Sequence, residues 1–440
     1  MIKRLLGLVV GICLLASCSE SEKEAWPNIE AMQVNINSHI GKTAKFEITL
    51  SSPHEVYLDY WKTEQIETLN TIHLQEDDYA MTAILYGLEE NTSYQYKIRF
   101  DAEDALGSQI HNFKTQIRDD AVKQFYLESE NEIETDLDGT FLFHRTGHPS
   151  VILLVNGKGQ VVWYRTSPNM IKVANLTHRN TILTIESSSE QDFSDGDRIL
   201  ETNLAGDTLL LLNYGENDFN KIPHHDLFLT QENNIVMLTQ EVQNEFKGDG
   251  ILVLDRNGQK LWEWSSFGEF SNPDLATYVQ PWGNSIVEDE KAYYVSFRAL
   301  SQVWKINKIS KSVDWKLGQN GDFNLDPDTQ FLFQHFAHFN QGNELLLFDN
   351  GATENRTYSR ILSIELAEDS QSLSPKTNIQ LPAEYFSPFM GSVQQLNNNE
   401  FLVCSATNGT ILNVNLEGNI LWKLTASDRM YRCVYIEKLF

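Results

Sequence analysis

Two histidines occupy matching places in a repeated pattern, and that is where chemistry is first expected. His225, in Pro223-His224-His225-Asp226, stands a few residues before the polar turn at Asn233-Asn234. His335, in Phe333-Gln334-His335-Phe336-Ala337-His338, stands at nearly the same distance before Gly342-Asn343. Guanidinium groups are expected beside them from Arg298, in Ser296-Phe297-Arg298, and from Arg356 and Arg360, which follow Phe348-Asp349-Asn350-Gly351. Imidazole and guanidinium converging in an acidic chain suit a sulfate, phosphate or carboxylate ester. Arg grips paired oxygens bidentately, and His serves as nucleophile or proton donor. The competing expectation is that each His is a satisfied structural residue of a polar channel. His224 and His338 are read as structural neighbours of the pair. The segments Pro281-Trp282-Gly283-Asn284-Ser285 and Phe389-Met390-Gly391-Ser392 occupy the matching places elsewhere and bring no third imidazole.

The elements that must position these residues are short strands. From about Val122 to the C-terminus a polar turn is followed by a strand that often carries Trp. The copies are Asn156 to Trp163, Asp255 to Trp262, Asn307 to Trp315 and Asn415 to Trp422, with Asn203 to Leu210 carrying Leu instead. They recur at steps of about 50 residues, and the double-length gap after Trp315 leaves room for a degenerate copy around Arg360 to Leu381. Between the turns lies a second hairpin pattern, at Leu176 to Glu186, Leu227 to Thr239, Ser285 to Phe297, Phe339 to Phe348 and Val393 to Ser405. Four short antiparallel strands per repeat predict an all-β fold, a six-bladed β-propeller over residues 122–440. Residues 27–117 alternate apolar and polar positions, as in Ala44 to Leu50 and Tyr94 to Phe100, and predict a small β-sandwich in front of it.

The chain of 440 residues carries 34 Lys+Arg against 61 Asp+Glu, a formal charge of -27. Nucleic acid is therefore excluded as an expected partner, because binding a polyanion starts from a basic face. With 41% hydrophobic residues and nine Trp the chain must bury a large core rather than stay disordered. Met1-Ile2-Lys3-Arg4, the apolar run Leu5 to Leu15, and Leu15-Ala16-Ser17-Cys18 form a secretory signal over residues 1–17. Its ending resembles a bacterial lipobox, which implies lipid on Cys18, a tether over residues 18–26 and a membrane-anchored place in the bacterial cell envelope. An ordinary cleaved signal is the alternative. That leaves Cys404 and Cys433, either paired or free, and too few cysteines for a metal site built on them.

Several motifs together carry a family resemblance: Pro223-His224-His225-Asp226, Asp249-Gly-Ile-Leu-Val-Leu-Asp255 with Trp262-Glu-Trp264, Ser296-Phe297-Arg298, Gln334-His335 with Phe348-Asp349-Asn350-Gly351, and Tyr431-Arg432. Over residues 130–440 the chain resembles the bacterial arylsulfate sulfotransferases, and Leu88 to Thr115 resembles the end of a fibronectin type III-like domain. The first resemblance implies a six-bladed propeller that moves a sulfuryl group from an aryl sulfate ester to a phenol. It implies transfer through a sulfated histidine, without a nucleotide sulfate donor, cofactor or metal. His225 and His335 are then the catalytic candidates, and Arg298, Arg356 and Asn350 the substrate-binding ones. The family's nucleophilic histidine is expected near Ser405-Ala406-Thr407-Asn408-Gly409, but this chain has no His between His338 and Phe440. Two expectations follow: an enzyme in which His225 or His335 carries the group, or a lipid-anchored propeller that binds sulfated or phenolic ligands without turnover.

Overall fold

The computed structural model describes residues 26–74, 79–100, 109–125, 127–131, 139–188, 195–270, 278–354, 356–397 and 399–438. The expected signal, Cys18 and the expected tether up to residue 25 lie outside the described residues.

Why the repeats form turns is visible in their first residue. In each, an Asn or Asp side-chain oxygen accepts backbone N–H groups inside its own turn, which closes the turn without help from the rest of the chain. Asn156 Oδ1 accepts from Lys158 and Gln160, Asn203 Oδ1 from Ala205 and Asp207, and Asp255 Oδ1 from Asn257 and Gln259. Gly159, Gly206, Gly258 and Gly418 then take the left-handed backbone that such turns demand. On either side, apolar runs such as Ser150–Asn156 and Phe246–Leu254 pair antiparallel with nearly every side chain buried.

Among the described residues, six antiparallel sheets of four or five strands succeed one another. The first runs Ile40–Gly41, Val161–Ser167, Ser150–Asn156, Thr140–Arg145 and Met430–Ile436 in spatial order. Four sheets follow, opening on the inner strands Met170–Leu176, Pro223–Leu229, Gly283–Glu288 and His335–Phe339. The last runs Ser392–Asn397, Glu400–Ser405, Thr410–Asn415, Ile420–Ala426 and Leu127–Asn131. Successive inner strands touch, and the cycle closes because the C-terminal strand joins the first sheet while Leu127–Asn131 joins the last. The fold is therefore all-β and propeller-like.

The repeated Trp has a physical use. Trp163 Nε1 donates to Leu204 O, Trp262 Nε1 to Lys308 O, and Trp422 Nε1 to Gly157 O, each at 2.8 Å. Each indole thus fastens its own sheet to the polar turn of the next one, and Trp422 fastens the last to the first. Trp315 Nε1 has no such partner among the described residues, and the sheet that follows it is the degenerate copy.

Nearer the N-terminus, one sheet of Ile29–Asn35, Ala44–Leu50 and Ala80–Leu85 shares a core with another of Gln65–Leu74, Val56–Lys62, Ser93–Arg99 and His111–Lys114. Phe46, Leu58, Tyr94 and Phe113 fill it. This unit is joined to the first sheet of the cycle by pairing of Ile40–Gly41 with Tyr164 and Arg165, and by the ion pair of Lys45 with Asp207 at 2.9 Å.

Cys404 and Cys433 are free, buried thiols in the last and first sheets. Burial pushes Cys404 up to about 12 and Cys433 well above its ordinary value, so both behave as small apolar residues.

At the centre, Asp226 of the third sheet pairs with Arg432 of the C-terminal strand at 2.8 Å, both within a few per cent of full burial. Asp226 also accepts from the backbone of Ile286 and from Asn175, and Arg432 donates to the carbonyls of His225 and Asn284. Removing one partner leaves the other charged and buried. Asp226→Ala is expected to cost about 3–5 kcal/mol, read as a lowered midpoint in denaturant unfolding. An unchanged midpoint would refute the tie.

Candidate functional site

The inner strands begin irregularly, and that irregularity aims the site. Pairing registers shift between Pro223 and Leu227, between Gly283 and Ser285, and between His335 and His338. His225, Trp282, Phe333, Phe336 and Met390 all hold φ values of 53 to 60°, where side chains with a Cβ are strained. Bulges of this kind turn a side chain out of the ladder.

His225, His335 and Arg298 line one cavity of about 580 Å³. The places without imidazole supply Trp282, Phe389 and Met390 to the same walls. Lys172, Lys247 and Arg429 also line the cavity, against Asp195 and Asp249 as its acids. In a chain of charge -27 this is a local reversal of sign.

The protonation of His335 follows from its partners. Asn350 Nδ2 gives its hydrogens to Ser387 O and Met390 O at 2.7 and 2.8 Å, which orients the amide with Oδ1 toward the ring. His335 Nδ1 therefore donates to Asn350 Oδ1, at 2.8 Å. Nε2 then carries the lone pair, and it accepts the Met390 N–H at 3.2 Å. Burial, opposed by the Asn350 bond and reinforced by Arg298, drives His335 down to about 3. Burial, then His224, His335, Arg432 and Arg298, hold His225 well below its ordinary value. Both rings are neutral at pH 7.

Arg298 lies 4.9 Å over Phe333 and 5.9 Å from Trp282, with Nη2 donating to Pro388 O at 3.4 Å. Its buried Nε has no hydrogen-bond partner among the described residues. A guanidinium held between rings, with a donor unspent, is suited to take an anionic oxygen.

Two expected substrate-binding residues are placed elsewhere. Arg356 is committed to Asp349, as is Arg360, whose Nε donates to Asp349 Oδ2 at 2.7 Å; neither lines the cavity. The single buried carboxylate pairs with both guanidiniums, and Arg356 Nη1 is left without a hydrogen-bond partner among the described residues. Asn350 is fully buried, and its amide is spent on His335 and the Ser387–Met390 loop, so it orients the imidazole rather than touching a ligand. The Ser405–Gly409 stretch, where the resemblance leads one to look for a histidine, props that same loop. Thr407 N–H donates to Ser387 Oγ at 3.2 Å, and Ser405 Oγ and Asn408 Nδ2 donate to Tyr385 O and Phe386 O just before it.

Sequence reasoning also missed His224, which lines the cavity and touches His225. Its adjacency to His225 was the signal. Trp282 and Phe389 were visible only as the absence of imidazole.

His335 and His225 set an acid limit. Well above pH 6.5 neither folded nor unfolded chain protonates them. As pH falls from there toward 3 the unfolded chain takes up protons that buried His335 refuses, so stability is lost across that window. His335→Gln is expected to flatten the fall of melting temperature between pH 6.5 and 4; an identical slope would show that the ring titrates normally.

The profile of a family described as arylsulfotransferase (ASST) matches residues 194–427. No curated protein matches the chain in sequence. Among solved structures, virginiamycin B lyase from Staphylococcus aureus has a TM-score of 0.35 at 11% identity, covering 68% of this chain and 99% of that one. The Cps50 (Swd1) β-propeller domain from Myceliophteria thermophila has a TM-score of 0.36 at 9% identity, covering 68% and 98%. A putative 6-phosphogluconolactonase from Bacteroides fragilis has a TM-score of 0.37 at 10% identity, covering 88% and 99%. At these scores the three likenesses carry no argument about activity. The family match spans more than half of the chain and contains the His225, Arg298 and His335 segments, so this protein belongs to the arylsulfotransferase family.

Proposed function

We propose that the protein transfers a sulfuryl group from an aryl sulfate ester to a phenolic acceptor through His335, with no nucleotide donor and no cofactor. The observation that carries this reading is the fixed tautomer of His335, which leaves Nε2 unprotonated, bonded among the described residues only by the Met390 N–H, on a residue that lines the same cavity as Arg298 and His225. Nε2 attacks sulfur, the bond from sulfur to the aryl oxygen breaks, and its electron pair leaves with the phenolate. Arg298 takes the sulfuryl oxygens, and Met390 N–H, released from Nε2, becomes a further donor to them. His225 exchanges the proton with the leaving and entering oxygens. A phenol then takes the group from nitrogen and restores the neutral ring.

The cycle of six sheets supports a six-bladed propeller over residues 122–440, and the two-sheet unit before it supports a fibronectin-like sandwich over residues 27–117. The lipobox supports lipid on Cys18 and attachment at the bacterial cell envelope. A second reading, binding of sulfated or phenolic ligands without turnover, is favoured by the Met390 N–H on Nε2 and by the lack of His after His338.

The test uses protein lacking residues through Cys18, a chromogenic aryl sulfate and a phenol. Acceptor-dependent release is expected, falling by about 10³-fold or more in His335→Ala. Unchanged turnover in that variant removes His335 from the chemistry. Absence of release from the wild type, with aryl sulfate binding retained in calorimetry, establishes the binding protein instead.

A further inference from the structure

We propose that Asp249, His224 and His225 form a proton relay that stores the proton of the acceptor phenol and returns it to the leaving phenolate; this rests on the transfer reading above. His224 is 4% and Asp249 1% exposed, so their polar atoms must find protein partners. Asp249 Oδ2 accepts the Gly283 N–H at 2.9 Å, and Oδ1 faces His224 Nε2 at 3.2 Å. This is an ion-pair contact, and neither Oδ1 nor Nε2 makes a hydrogen bond among the described residues. A hydrogen on Nε2 turned toward Oδ1 satisfies both atoms.

On its other side His224 Nδ1 lies 3.0 Å from His225 Nδ1, close enough to share one hydrogen and too close for two. Two states follow. With His224 neutral, His225 Nδ1–H donates to His224, and His225 Nε2 is a bare base toward the cavity. With one more proton, His224 is an imidazolium against Asp249, its Nδ1–H donates to His225, and His225 Nε2 carries a hydrogen and is an acid. The stored charge rests on His224, beside a carboxylate. His225 is the poorer place for it, since it faces His335, Arg298 and Arg432.

The proton count closes over the cycle. When the sulfur to aryl-oxygen bond breaks, the phenolate takes the hydrogen of His225 Nε2, and His224 passes its own to His225 Nδ1. When the acceptor phenol attacks sulfur on His335, its proton goes to His225 Nε2, the Nδ1 hydrogen returns to His224, and the nitrogen to sulfur electron pair returns to His335. His224 and Asp249 are positioning residues, since neither touches the reacting atoms.

Leaving groups report on the relay. Single-turnover release is measured from phenyl sulfate and from nitrophenyl sulfate with wild type, His224→Asn and Asp249→Asn. Nitrophenolate departs without a proton, whereas unsubstituted phenolate needs one. Both variants are expected to lose about 10²-fold with phenyl sulfate and much less with nitrophenyl sulfate, whose continued release also shows a folded site. Equal losses with both donors, or no loss with either, overturn the relay while leaving the transfer reading intact. No release from the wild type with either donor overturns the transfer reading, and the relay with it.

Discussion

The ion pair between Asp226 and Arg432 joins parts of the chain that are far apart in sequence, and the site is built on top of it. Arg432 comes from the last strand, Asp226 from the third sheet, and their hydrogen bonds reach the second and fourth sheets through Asn175, Ile286 and Asn284. Arg432 also lies 4.8 Å over Phe336, beside His335. A buried pair of this kind adds little net stability over an apolar substitute, but it specifies one arrangement, because any slippage strands a charge in a dry interior. His225 takes its place from this tie directly, since its own carbonyl accepts from Arg432.

The distribution of cations follows the same logic. Asp349 absorbs Arg356 and Arg360, Glu186 absorbs Arg165 at 2.7 Å, and Asp226 absorbs Arg432. Arg298 has no carboxylate within ion-pairing distance among the described residues and is held by rings and a carbonyl instead. In a chain with so large an acidic excess, an arginine lodged in a cavity with no acid against it keeps its charge uncompensated. The strained backbone at His225, Trp282 and Met390 belongs to the same zone, and such strain persists where surrounding sheets over-determine the conformation.

Much of the architecture could be read from the chain because it is local. The Asn and Asp that open each repeat close their turns with their own side chains, so turn, strand and step length all appear within a few residues of one another. The matching placement of His225 and His335 was legible for the same reason: equivalent positions in a repeat point to equivalent places. The destinations of Arg356 and Asn350 were not legible. Asp349 is adjacent to Asn350 in sequence, yet their opposite uses depend on the alternation of a strand end, one side chain turning to the guanidiniums and the other to His335. The indole bonds that fasten neighbouring sheets join residues more than forty positions apart, up to Trp422 and Gly157, and spacing alone does not assign such partners.

The sequence by itself determined the all-β repeat, the family, and which segments carry imidazole and guanidinium, because periodicity and residue type are properties of short stretches. Only the tertiary structure decided which of those groups is free to act. Whether a guanidinium meets a carboxylate, and which imidazole nitrogen keeps its lone pair, depends on a partner brought from another sheet. In a dry interior, where unmet charge is costly, that partner decides the chemistry.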